Sequence, residues 1–140
     1  MLAAVLLAAA CSRRAADSQT GITSVATVRD LMDGIVIPYS QLIFQSVAYE
    51  NGQLTRAPRS DDDWHQLRVR ALALAEVGNL LMIDSRRKDS GDWVNLSHRL
   101  TMAAADVATA ATLKDVDRTL LAGGALYDTC TDCHRKYLPQ

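Results

Sequence analysis

The sequence predicts an all-α domain, an antiparallel four-helix bundle, and three features lead there. The 140-residue chain is 49% hydrophobic but only 5% aromatic, and its apolar content is carried largely by Ala and Leu, which favour helix. Four stretches of about twenty residues repeat apolar side chains at helical spacing. The two later connections between them are short, so consecutive helices must run in opposite directions. The length suits one domain with one core. A formal net charge of -1 lacks the positive field a nucleic-acid binder needs, which excludes that class.

Residues 1–10, from Met1 to Ala10, are uncharged and apolar and too few to span a bilayer as a helix. They read as the apolar core of an export signal. Leu7-Ala8-Ala9-Ala10-Cys11 resembles the lipobox of bacterial lipoproteins, which implies cleavage before Cys11 and lipidation of its thiol. No Lys or Arg precedes the apolar run, which leaves the true start codon open. The alternative is ordinary cleavage at the small residues, with Cys11 a stray thiol and the protein soluble in the periplasm. Residues 11–26 are polar and unpatterned, and read as a flexible tether. The bundle is expected over residues 27–140.

Thr27 with Asp30 resembles a capping box, opening a helix expected to reach Asn51-Gly52. Leu31, Ile35, Pro38 and Leu42 lie on one face, with Met32, Val36, Tyr39 and Ile43 beside them. Pro38 should kink it or tighten it locally. Asn51 to Arg59 then forms the longest internal loop. Ser60 and Asp63 start a second helix running to about Ile83, where Asp61, Asp62 and Asp63 suit the positive end of the helix dipole better than a metal site. Its stripe is Leu67, Ala71, Leu74, Val77 and Leu81. Arg86, Arg87 and Lys88 read as a solvated basic loop. The third helix, from Ser90–Asp92 to about Thr112, carries Trp93, Leu96, Leu100, Ala103 and Val107. The fourth runs from about Val116 to Tyr137. No strand alternation is evident.

The chemistry lies on the fourth helix, in Cys130-Thr-Asp-Cys133-His134. Cys-x-x-Cys-His is the spacing of c-type haem attachment, in which each thiol adds to a vinyl group and the next imidazole turns onto iron. On a helix the three side chains project from overlapping sectors of one face. A thioredoxin-type dithiol is the first alternative, but it should open a helix after a strand. Structural zinc is the second, but it needs four ligands, and only His65, His98 and Cys11 remain, scattered along the chain.

A C-terminal site of this kind, in Cys130-Thr-Asp-Cys133-His134-Arg-Lys-Tyr137, resembles the class II c-type cytochromes, the cytochrome c′ family. Thr27-Val-Arg-Asp-Leu-Met32, followed by Ile37-Pro38, resembles the first helix of that family's six-coordinate members. The resemblance spans residues 27–137. It implies a bundle with one haem c bound covalently to the last helix through Cys130 and Cys133, with His134 as proximal iron ligand. Leu138 departs from it, since members commonly carry a basic residue there, and the partner of the imidazole is left open.

Spacing alone makes Met32 a core residue, whereas the resemblance implies that it is the distal ligand. Methionine opposite histidine favours reduced iron and raises its potential, as an electron carrier needs. Arg29, one turn earlier, is the candidate cation for a haem propionate, and a solvent-exposed arginine is its other reading. Tyr127 is expected to pack on the haem, and Gly123 to allow a close helix approach or a kink. Met82 and Met102 are assigned to the core or to loop ends, and His65 and His98 to the surface.

The function expected is that of a periplasmic electron-transfer cytochrome anchored to a membrane by lipid, with no catalysis of its own. Its partners would be redox proteins of the respiratory chain, with a homodimer left open. Two alternatives stand beside it: a five-coordinate haem module that binds CO or NO, and a non-haem dithiol or metal-binding helical protein.

Overall fold

The computed structural model describes residues 23–138; the apolar start, Cys11 and most of the tether lie outside the described residues. Thr27 caps α1 (Val28–Leu31) as its sequence predicts. Its hydroxyl accepts from the Asp30 N–H at 3.1 Å, and the Asp30 carboxylate accepts from the Thr27 N–H at 2.8 Å. The helix then widens into a π-helical turn, Met32–Val36, before resuming as α2 (Ile37–Phe44). Pro38 supplies the reason. It has no N–H for the carbonyl of Gly34 and its ring crowds that group, and the wide turn, with the Ile37 N–H bonded to the Met32 carbonyl, absorbs the misfit just upstream. The turn also shifts the buried face. Leu31, Val36 and Ile43 enter the core, whereas Leu42 is exposed.

The first helix does not reach Asn51-Gly52. It stops at Phe44, and the segment read as helix end and loop folds as a hairpin, β1 (Ala48–Glu50) against β2 (Gln53–Arg56), antiparallel with Tyr49 opposite Leu54. Asn51 at φ 51° and Gly52 at φ 77° are the two left-handed positions that a two-residue hairpin turn requires. Both strands are mostly exposed, so they lack the apolar alternation that betrays a strand. Hydrogen bonds pin the hairpin: Arg56 Nη1 to the Gln45 carbonyl at 3.1 Å, and the Tyr49 hydroxyl to Asp117 at 2.5 Å.

The long helices fall where their caps and periodicity predict: α3 (Asp61–Leu81), α4 (Asp92–Leu113) and α5 (Val116–Tyr137). Ser60 and Asp63 form a second capping box, and Asp115 caps α5. Contacts between ends set the directions. Asp61 at the start of α3 meets Lys114 just past α4 at 2.7 Å, and Asp92 at the start of α4 pairs with Lys136 near the end of α5. Each long helix therefore runs antiparallel to the next, and the four helical stretches pack pairwise as a helical bundle. Leu67, Leu74, Val77, Leu100, Val107 and Leu126 are among its core residues. Among the described residues, no helix is long and apolar enough to cross a membrane.

Three local expectations change. Arg86 is not solvated: it is 7% exposed, and its Nε and Nη1 donate to the carbonyls of Ala26 and Leu80 at 3.0 and 3.1 Å. The close helix approach is at Gly78, where a Cβ would lie 2.2 Å from Thr101 Oγ1 and 2.8 Å from the Ser97 carbonyl, and not at Gly123, which has nothing within 4 Å. Met102 is exposed on α4 rather than in the core.

Candidate haem-attachment site

Cys130, Cys133 and His134 occupy the last two turns of α5. They line one narrow cleft with Met32 and Val36 of the π-helical turn, Leu81 at the end of α3, and Leu96 and Leu100 of α4. All four helical stretches thus contribute a wall. Thr129, also in the wall, turns its hydroxyl back to the Ala125 carbonyl at 3.0 Å, which removes a polar group from a lining otherwise dominated by carbon and sulfur. Met32 enters this lining from the start of the π-helical turn.

Both cysteines are free thiols, partly buried. Burial pushes both thiol pKa values up, and the neighbouring Cys133 adds to the effect at Cys130. The negative end of the α5 dipole opposes a thiolate as well. These are the reverse of the conditions that activate a thioredoxin-type dithiol, which needs a depressed pKa at a helix N-terminus. Tetrahedral zinc takes four ligands, and among the described residues no group of three or more His, Cys, Asp or Glu side chains is placed to hold a metal ion.

The donor set fits a haem. Two neutral thiols and an imidazole share a helix face, a soft thioether stands on a neighbouring helix, and the walls between are apolar. The free space is about 30 Å³, far below the roughly 300 Å³ of the smallest ligand pockets, so admitting a macrocycle requires the walls of the cleft to part.

Arg29 is exposed and lines a separate surface basin with Ser24, Arg86 and Lys88 rather than the cleft. Tyr127 is 58% exposed and stacks edge-on against Phe44 at 5.6 Å, away from the cysteines. His65 and His98 are on the surface as expected.

The clamp that holds the end of α5 was not legible beforehand. Asp132, between the two cysteines, pairs with Arg99 of α4 at 2.8 Å. The Tyr137 hydroxyl donates to Asp89, and Tyr137 meets Trp93 edge-on at 4.9 Å. Trp93, buried, donates from Nε1 to the Leu81 carbonyl at 2.7 Å. These partners lie 12 to 48 residues apart, and no local pattern announces such pairs.

No family model, curated protein or solved structure matches the chain, and the functional reading therefore rests on the chemistry of the cleft.

Proposed function

We propose that this chain is an electron-transfer c-type cytochrome with one covalent haem, similar to the six-coordinate class II cytochromes. One observation carries the reading: Cys130, Cys133 and His134 on one helix and Met32 on another line a single apolar cleft. Cys130 and Cys133 would hold the group through thioether sulfurs, and His134 and Met32 would be the ligands of its iron. When bound, the haem supplies a one-electron couple. The protein's part is to keep both ligands in place through the change of charge, so that little reorganises, and to exclude water with Val36, Leu81, Leu96 and Leu100. The Asp132–Arg99 pair and the Tyr137–Asp89 bond fix the attachment helix against α4. The chain is no enzyme in this reading. It passes electrons between respiratory redox proteins in the periplasm, held at a membrane through a lipidated Cys11.

Five-coordinate gas binding is the second reading, and one observation favours it: Met32 also packs against the hydrophobic core cluster, which an unligated methionine would do equally. Absorption spectra of the protein from a host that matures c-type cytochromes decide between them. The electron-transfer reading expects haem that survives acid extraction of the denatured chain, low-spin iron in both oxidation states, a methionine-to-iron charge-transfer band and weak CO binding. Met32→Ala then lowers the reduction potential and admits CO. High-spin iron that binds CO readily, unchanged by Met32→Ala, gives the site to gas binding. Haem-free, cooperatively folded protein from that host overturns both.

A further inference from the structure

The basin at the start of the first helix is a different kind of site from the cleft, with which it shares no lining residue. Its volume is about 480 Å³, and Arg29, Arg86 and Lys88 line it together with the hydroxyl residues Ser24, Thr27 and Ser85; no carboxylate does, among the described residues. The nearby acids are engaged elsewhere: Asp30 by the Thr27 N–H and hydroxyl, Asp84 by Arg87, and Asp89 by Gly91, Trp93 and Tyr137. Arg29 and Lys88 form no ion pair among the described residues.

Arg86 makes the basin a built site. It is more than nine-tenths buried, and among the described residues no carboxylate pairs with it. Nε and Nη1 are spent on the carbonyls of Ala26 and Leu80, while Nη2 has no hydrogen-bond partner among the described residues. No buried side-chain nitrogen lacks a partner among the described residues, so Nη2, the one nitrogen of this guanidinium left open, reaches solvent; a charge-assisted bond from it, beside the Arg29 guanidinium and the Lys88 ammonium, suits the oxygens of a phosphate.

We propose that this basin binds a phosphate-type oxyanion, either free phosphate or the headgroup of an anionic phospholipid. The site is independent of haem and of the cytochrome reading. Titration of the full chain carrying Cys11→Ser, which removes any acyl chain, tests it by amide NMR shifts over residues 23–29 and 85–88. Inorganic phosphate should give saturable shifts that potassium chloride of equal ionic strength does not. Arg29→Gln combined with Lys88→Gln, both surface changes that spare Arg86, should weaken the affinity about tenfold or more. Equal responses to chloride and phosphate, or an affinity unchanged in the double variant, overturn the proposal. Vesicles of phosphatidylcholine, with and without phosphatidylglycerol, separate the sources. Sedimentation with the anionic vesicles alone, reversed by inorganic phosphate, identifies the headgroup; phosphate binding without vesicle binding identifies the free anion.

Discussion

Gly78 and Thr101 set how closely α3 and α4 approach. The missing side chain at Gly78 lets Thr101 Oγ1 bond the Ala75 and Ser97 carbonyls, both at 3.2 Å, in the space a Cβ would occupy. Gly78→Ala gains about 1 kcal/mol of helix propensity. Against that, the new methyl meets backbone atoms of α4 at 2.8 and 2.9 Å, and overpacking of this kind costs about 1–3 kcal/mol. Because backbone must move rather than a side-chain tip, the upper end applies. Thermal unfolding should show a lower midpoint, and an unchanged or raised midpoint would mean that the helices separate freely. Ser97 and Leu100 on the displaced helix also line the cleft, so, if the cleft holds the haem proposed for it, the same change should disturb the haem spectrum.

At the scale of elements, the first helix is the part most specialised for the site. A straight α-helix over this stretch would put Met32 and Val36 on adjacent sectors; the π-helical turn rotates the residues before it relative to those after it. Such turns are rare and recur at functional sites. Pro38→Ala restores the missing N–H, removes the clash and lets the turn relax toward α geometry, a change of about 100° per residue absorbed. If Met32 ligates haem iron as proposed, the expected outcome is a stable protein, by thermal unfolding, whose methionine-to-iron band is lost or weakened. A band of wild-type strength would show that packing against α3 and α5, rather than the proline, holds the turn. The hairpin that follows is a clip: Tyr49 and Arg56 tie it to α5 and α2, and it adds no residue to the cleft.

Over the whole molecule, ionisation links the helix ends to stability. Hydrogen bonds from Thr27 lower the pKa of Asp30, those from the Arg59 and Ser60 backbone lower Asp63, and those from Tyr137 and Trp93 lower Asp89. Each carboxyl therefore releases its proton more readily folded than unfolded. The stabilisation is complete above the unfolded value of about 3.9 and drains away as pH falls through the folded values. Tyr137 works at the other end: partial burial and the Asp89 carboxylate push it up to about 12, so its contribution holds below about pH 10 and is lost as pH rises toward 12. Unfolding followed by circular dichroism should show an acid transition that flattens in Asp63→Asn. A transition of the same steepness in that variant would remove the cap from the account.

How much was legible beforehand follows from the range of each interaction. The capping pairs Thr27/Asp30 and Ser60/Asp63, the apolar stripes of α3 and α4, and the Cys130, Cys133, His134 triplet on one helix face all depend on residues within a few positions of one another, so the sequence by itself determined them. The Asn51-Gly52 turn is equally local, but its strands are mostly exposed and carry no apolar alternation to mark a hairpin around it. Tertiary structure decided the rest: that Arg86 is buried, that Arg29 lines a separate surface basin rather than the cleft, that Tyr127 faces Phe44, and that Met32 lines the same cleft as the cysteines. In each case the deciding partner lies on another element, dozens of residues away, and only packing brings the two together.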